Sequence, residues 1–553
     1  MKIIIIGAGP GGYETALLAA KRGVEVVLIE AGHVGGTCLN EGCIPTKTFC
    51  KNAEVLDGLK EAEVFGVTDL SYGFDFSAVT ARKNAVVEQL RGGVEGLLGH
   101  KLITLVRGKA AFKDAHTVVV SSNDIVDESE AMVKTGTGTG TVTGTVTGTV
   151  TGTVTGTVTG TVTGTGTVTG TGTGTGTGTV EYTADYIIIA TGSTSASLPV
   201  PGADLPGIMT SKEILDIQEV PKSLCVIGGG VIGLEFASIF RSFGSEVTVL
   251  EYCKDILPRF DTDLAKRLKQ SLGKRGINIE TQAQVTGIEV LPSETGVSED
   301  MTKAESGSET EGKVMGETTL GERYAVSYMR KGKEETVIAE KVLMAVGRKA
   351  NLKSLNLDDI GLEYTPRGIV ADDRTMQTNI PHIYAVGDIN GKMMLAHAAT
   401  FQGIAALDHI MGVANEIDLS VMPAAVFTSP EAASVGMTED ECKDKGIPVK
   451  CLKSFFRANG KAVTMGETDG FCKVVVAAEP KSGSDIGDSG SDDDRPVYEP
   501  GRILGCHMYG PHASDIIQEA CALISRKATL EQCQGIIHTH PTLTEVFQSA
   551  IHS

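Results

Sequence analysis

Residues 2–30 read KIIIIGAGPGGYETALLAAKRGVEVVLIE. The run of four isoleucines has no polar position, the pattern of a strand covered on both faces of a parallel sheet. Residues 13–21 have helical composition, and 24–29 form a second apolar run. Between strand and helix stand Gly7, Gly9 and Gly12 in GxGxxG spacing. The first glycine permits a tight turn, the second lets the backbone approach a pyrophosphate, and the third lets helix pack on strand. A phosphate bound there meets the positive end of the helix. Glu30 ends the second strand 23 residues after Gly7. That places it to accept a hydrogen bond from a ribose 2′-hydroxyl.

The same grammar returns over 223–251, SLCVIGGGVIGLEFASIFRSFGSEVTVLE, with Gly228, Gly230 and Gly233 and with Glu251 again 23 residues on. Two copies in matching context predict two dinucleotide sites. A carboxylate at Glu251 repels a 2′-phosphate, and the next arginine is Arg259, so the second site is read as one for NAD rather than NADP. From about residue 423 the chain reads as strands, then a helix over 514–526 and a short helix after Pro541. The expected fold class is α/β, with two Rossmann-like nucleotide-binding domains followed by a C-terminal α+β domain.

Composition is dominated by segments outside this grammar. Residues 135–180 hold only 23 Thr, 15 Gly and 8 Val, with Thr at every odd position. Little apolar surface is available there to bury, so disorder or a repeat without function is expected. Segments 292–322 and 479–501 read as acidic loops of net charge −6 and −5 within a chain of −20. All three look like insertions at hairpin tips, between strands over 117–126 and 185–190, 283–291 and 324–329, and 471–478 and 502–508. Closure entropy grows only logarithmically with loop length, so such sites tolerate them. The remaining 453 residues of 553 suffice for several cores. The negative balance disfavours a nucleic-acid partner. No apolar run is long enough to span a bilayer, and the chain opens directly on a strand. A cytoplasmic protein is expected, with the mitochondrial matrix as the alternative. Eleven cysteines in this length are too sparse for a secreted disulfide scaffold, and none has metal-ligand spacing, so no metal is expected.

Two stretches carry candidate chemistry. In GGTCLNEGCIPTK (35–47), Cys43 stands by the start of a helix expected over 45–56, where the dipole favours a thiolate. Cys38 and Cys43 are five apart, and spacing alone leaves two readings open: a catalytic pair or two structural thiols. Lys47 follows one turn later. In HTHPTLTEVF (538–547), Glu545 is placed to orient His540 as a base for a thiol, while a His–Pro helix start by itself is more often a cap.

Taken together, GAGPGG with Glu30, GGTCLNEGCIPTK, ATGS (190–193), GGGVIGLE with Glu251, AVGR (345–348), YAVGDI with LAHAA (384–399), TSPEAASVG (428–436) and HTHPTLTE occur in family order along the chain. The sequence resembles the pyridine nucleotide-disulfide oxidoreductases, and among them the dihydrolipoyl dehydrogenases of 2-oxo acid dehydrogenase complexes. The resemblance implies an FAD-binding domain (1–221), an NAD-binding domain (222–347), a central segment completing the FAD site (348–422) and a dimerisation domain (423–553). It implies a redox-active disulfide in which Cys38 exchanges with substrate and Cys43 faces the flavin. Lys47 and Glu235 would pair beside the isoalloxazine, and Asp388 would bind the ribityl or phosphate region. Thr191, Gly192, Gly347, Gly387 and His397 are expected at the cofactor sites. His540 and Glu545 would act from the partner subunit of a homodimer, on lipoyl domains as substrate. Gln402 and Asp515 stand where most relatives are expected to carry glutamate. The rival readings are a glutathione, trypanothione or mercuric reductase-like enzyme, or a flavoprotein subunit without catalysis.

Overall fold

The computed structural model describes residues 1–121, 179–291, 322–479 and 498–553, and four two-residue strands within the Thr-rich tract. Those four pair in parallel, Gly148–Thr149 with Val162–Thr163 and Val154–Thr155 with Val168–Thr169. The remainder of the expectation for that tract, and nearly all of both acidic loops, lie outside the described residues.

The strand Lys2–Ile6 is central in a five-stranded parallel sheet, flanked by Glu25–Glu30 and Tyr186–Ile189. Ile3 and Ile5 point into a core with the helices Pro10–Lys21, Phe76–Leu98 and Ala396–Met411. Ile4 and Ile6 point the other way, into a core with Phe112, Val118 and Val120 of a three-stranded antiparallel sheet. Both faces are therefore buried, which is why the strand has no polar position. The outer strand Ile383–Ala385 comes from far along the chain and pairs with Tyr186–Ile189.

The second unit repeats the plan. Ser223–Ile227 is central among Ile208–Met209, Lys341–Met344, Glu246–Glu251 and Ile277–Thr281, all parallel. The helices Val231–Phe243 and Thr262–Lys274 cover one face. An antiparallel sheet of Gln284–Leu291, Arg323–Arg330 and Lys333–Ala339 covers the other.

The C-terminal unit is a five-stranded antiparallel sheet. The helices Ala513–Ser525 and Glu545–Ile551 pack on one face. On the other, Val426, Ala432, Phe471 and Tyr509 join the core of the second unit. Across that junction the buried Lys473 bonds Asp261 at 2.8 Å, and within its own unit it bonds Glu439 at 2.7 Å. Its cation is thus paired twice, as a buried charge requires.

All three insertions lie between antiparallel neighbours: Thr117–Ser121 with Thr179–Thr183, Gln284–Leu291 with Arg323–Arg330, and Phe471–Ala477 with Ile503–Gly510. One partner differs from expectation. Residues 185–190 do not close the first hairpin; Tyr186–Ile189 enters the parallel sheet instead. Its unbroken apolar run needs cover on both faces, whereas Thr179–Thr183 alternates exposed and half-buried positions and suits an outer hairpin.

Candidate active site

Both glycine turns, the Cys38–Lys47 segment and the turn carrying Asp388 line one cleft of about 3480 Å³. The glycine turns are superposable in their logic. Gly7 and Gly228 have φ of +102° and +113°, and a Cβ on either would lie 2.3 or 2.4 Å from the carbonyl oxygen of Ala190 or Ala345. On Gly12 and Gly233 a Cβ would lie 1.8 and 2.0 Å from the carbonyl oxygens of Gly7 and Gly228. The middle glycines differ: a Cβ on Gly230 meets nothing within 4 Å, and one on Gly9 meets only the Gly36 Cα at 3.9 Å. First and third glycines serve chain packing, while the second borders open space on the cleft. That is the vacancy a pyrophosphate needs, so both turns fit a dinucleotide.

The acidic residues are organised alike. Glu30 accepts from the N–H of Ala8 at 2.6 Å and of Gly32 at 2.7 Å. Glu251 accepts from Gly229 at 2.5 Å and Cys253 at 2.6 Å. Each carboxylate is thus fixed by one N–H from its glycine turn and one from two residues on. Each oxygen retains a lone pair for a ribose hydroxyl.

Asp388 follows the strand Ile383–Ala385 in a short 3-10 turn. Its Oδ2 accepts from the Ser193 hydroxyl at 2.5 Å, and Arg348 Nε donates to that same hydroxyl oxygen at 2.7 Å. Burial pushes the carboxyl up, and Ser193 and Arg348 pull against it. Behind this turn the buried Gln402 accepts from Gly387 N–H at 2.7 Å and Asn390 Nδ2 at 2.8 Å through one oxygen. A neutral amide supplies those bonds as well as a carboxylate. Asp515, the other departure, is exposed 3.5 Å from His512.

Cys43 is the first residue of the helix Cys43–Lys60, two residues earlier than the composition predicts. Both Cys38 and Cys43 are present as thiols. The hydrogen bond from Cys38 is the largest influence holding Cys43 down to about 7, with Lys47 aiding and burial opposing. The same bond, then burial, pushes Cys38 far up. Of the two sulfurs, Cys43 is thus the one on which negative charge is favoured. Lys47, one turn along, bonds both oxygens of Glu235, at 2.9 and 2.8 Å. Burial would lower the Lys47 pKa, but the charge and hydrogen bond of Glu235 reverse this and raise it. Phe427 completes the junction: its N–H donates to Glu235 at 3.0 Å, and its ring centroid lies 4.4 Å from Lys47 Nζ.

His540 Nδ1 lies 2.9 Å from Glu545 Oε1, as the sequence predicts. Neither residue lines the cleft, and the His540 side chain is 77% exposed. Thr542 N–H foremost, then His540, holds the Glu545 carboxyl below its usual range.

A family model for pyridine nucleotide-disulphide oxidoreductases matches residues 1–143 and 126–403, and one for the dimerisation domain of the same family matches 422–482 and 497–551. The chain belongs to the pyridine nucleotide-disulfide oxidoreductase family. Among curated relatives, dihydrolipoyl dehydrogenase from Chlamydia muridarum is 33% identical over 548 residues, covering 98% of this chain and 94% of the relative. Dihydrolipoyl dehydrogenase from Geobacillus stearothermophilus is 34% identical over 553 residues, covering 99% and 94%. LpdA from Mycobacterium tuberculosis shares the fold at a TM-score of 0.75 and 22% identity, over 100% of this chain and 98% of that one. RclA, an HOCl-induced flavoprotein disulfide reductase from Escherichia coli, does so at 0.71 and 23%, over 100% and 99%.

For this oxidoreductase, Gly7, Gly9, Glu30, Cys38, Cys43, Lys47, Thr191, Gly192, Gly228, Gly230, Glu235, Glu251, Gly347, Gly387, Asp388 and His397 share the cleft, while Gly12 and Gly233 pack behind it. His397 reaches toward the C-terminal unit, donating from Nε2 to the Pro423 carbonyl at 2.8 Å. Sequence reasoning missed Ser193, Arg348 and Phe427. The first two lie inside quoted motifs, ATGS and AVGR; Phe427 has no local signal. Among the described residues no group of His, Cys, Asp and Glu could hold a metal ion, and no helix is long and apolar enough to cross a membrane.

Proposed function

We propose that this oxidoreductase is an NAD-dependent dihydrolipoyl dehydrogenase, a homodimer whose two active sites each draw on both subunits, acting on lipoyl domains of 2-oxo acid dehydrogenase complexes. The observation that carries the reading is that both glycine turns and the Cys38–Cys43 pair, with the Lys47–Glu235 ion pair beside it, line one cleft. Gly7, Gly9, Glu30 and Asp388 would hold FAD, and Gly228, Gly230 and Glu251 would hold NAD. The Glu251 carboxylate favours NAD over a 2′-phosphorylated cofactor.

The chain's own residues then have defined tasks. The partner subunit's His540, oriented by the partner's Glu545, takes a proton from a dihydrolipoyl thiol. The resulting thiolate attacks Cys38 in the Cys38–Cys43 disulfide; the S–S bond breaks and Cys43 leaves as a thiolate. The second lipoyl sulfur attacks the sulfur bound to Cys38 and forms the lipoyl disulfide; the mixed disulfide breaks, and the proton the second lipoyl thiol gives up passes to the Cys38 sulfur. The product is a thiol on Cys38 and a thiolate on Cys43. FAD, when bound, supplies the two-electron path from that pair to NAD. Lys47 faces the charge left on Cys43, and Glu235 balances Lys47.

Sharing across subunits is supported by two exposures. His540 and Glu545 stand outside their own chain's cleft. Exposed apolar side chains crowd residues 64–74, with Val64 82% and Phe65 61% accessible, and Ile537 beside His540 is 95% accessible. Apolar surface on that scale marks a contact with another protein. A reducing compartment such as the cytoplasm suits a chain of eleven cysteines whose spacing is that of no secreted disulfide scaffold.

Steady-state turnover of dihydrolipoamide with NAD, then with NADP, tests the reading. NAD-dependent activity is expected. Activity with NADPH and glutathione disulfide, and none with dihydrolipoamide, would sink it.

A further inference from the structure

Beneath the His540–Glu545 pair lies a buried asparagine that the chemistry above does not use. Asn459 stands between the turn Phe456–Ala458 and the short helix Gly460–Met465. Its two amide atoms do different things. Oδ1 accepts from the N–H of Ala462 at 2.9 Å and so caps the helix. Nδ2 donates to the carbonyl of Thr542 at 3.0 Å.

Thr542 is the connection to the base. Its N–H donates to Glu545 Oε2 at 2.8 Å, and the other carboxylate oxygen, Oε1, meets His540 Nδ1 at 2.9 Å. The carbonyl and N–H of Thr542 flank one Cα, so anchoring the carbonyl restrains the direction of the N–H. With Oε2 engaged there, Glu545 keeps one rotamer and commits Oε1 to the imidazole. The Thr542 hydroxyl, donating to Thr539 at 2.7 Å, and Ser454, donating to the Val546 carbonyl, hold the two ends of the same loop. Among the described residues, the hydrogen bond that ties its middle to a buried side chain of the C-terminal unit comes from Asn459, while Leu543 next to it packs on that unit's core.

We propose that Asn459 is a positioning residue for the His540–Glu545 pair, acting through Thr542 to fix the carboxylate that orients the base. The inference rests on reading His540 as the base in dihydrolipoyl oxidation. It assigns Asn459 no contact with substrate or cofactor.

Asn459→Ser separates its two tasks. Serine caps helices as well as asparagine does, but its short side chain does not span to the Thr542 carbonyl. Turnover of dihydrolipoamide with NAD should fall about tenfold, a part of what a general base contributes. NADH oxidation by an artificial electron acceptor, which needs no base for a thiol, should hold at the wild-type rate, with unfolding midpoint and dimer mass unchanged. The deciding measurement is a double-mutant cycle with Glu545→Ala. In that background Asn459→Ser should cost less than about twofold, because the group through which it acts is gone. Losses that multiply, or an equal loss in the acceptor assay, would overturn the proposal. Should the serine variant fold poorly, Asn459→Asp keeps the cap and lacks the donor, and the same cycle decides. Wild-type protein and His540→Gln are measured first. Wild-type activity that does not depend on His540 removes the premise, whereas a failed cycle on a His540-dependent enzyme removes only Asn459.

Discussion

Lys47 Nζ bonds both carboxylate oxygens of Glu235, 188 residues away. Glu235 is 4% exposed, and its other described donor is the Phe427 N–H. Removing the lysine strands a buried carboxylate. Lys47→Met should therefore lower stability by about 3 kcal/mol, the low end for breaking a buried pair because Lys47 itself reaches the cleft. Lys47→Met combined with Glu235→Leu should recover most of that loss, read as the denaturant midpoint. A double variant as unstable as the single one contradicts the account.

Cys43 should be about half ionised at neutral pH, well ahead of an ordinary thiol. In the reduced protein its alkylation by iodoacetamide, mapped by mass spectrometry, should rise with pH through a midpoint at about 7 and level off above it. Since the thiolate is the nucleophile, reaction at pH 5 should be roughly a hundredfold slower. Cys38→Ala removes the leading cause of the depression, so the midpoint should move up toward that of an ordinary thiol. An unchanged midpoint would show that the Cys38 hydrogen bond is not the cause. Cys43→Ser should retain FAD and lose turnover.

The carboxylate of Glu251 should set nucleotide choice. Glu251→Gln leaves an acceptor in place but takes away the charge. A hydrogen bond to a charged group is worth about 1.5–3 kcal/mol, so kcat/KM for NAD should fall roughly 10- to 100-fold. The same change should narrow the preference for NAD over NADP, since the repulsion of a 2′-phosphate goes too. Equal losses with both nucleotides would place the effect in the turn that Gly229 and Cys253 form rather than in recognition.

The apolar stretch over residues 64–74 should be covered in the dimer. A Cβ on Gly466 of the C-terminal unit would come within 3.6 Å of Phe65 Cζ, so the stretch is continuous with that unit. Val64→Asp with Phe65→Asp should yield a monomer in sedimentation at micromolar concentration. That monomer should still oxidise NADH with an artificial acceptor and fail on dihydrolipoamide. A stable, fully active dimer would refute the placement.

The parts legible in the sequence are those whose cause is local. A glycine at positive φ, an acid ending the next strand and a cysteine opening a helix each leave a mark within a few residues. Arg348, Ser193 and Asp388 converge from 155 and 195 residues apart in sequence, and spacing along the chain does not encode that meeting. Phe427 contributes a backbone N–H and a ring face, which many residue types could present. The misplaced hairpin partner arose because Thr179–Thr183 and Tyr186–Ile189 both have strand character; only the demand for cover on two faces tells them apart.

The strand Ile383–Ala385 gives the first sheet its outer edge, and Asp388 follows directly behind it. Synthesis proceeds from the N-terminus, so the first unit waits for nearly four hundred residues before its last strand leaves the ribosome. The strands and helices of the second unit all lie within that interval, so they are made before the first sheet can be completed. The pocket proposed for the flavin, begun earliest in the sequence, would then be among the last parts of the protein to close.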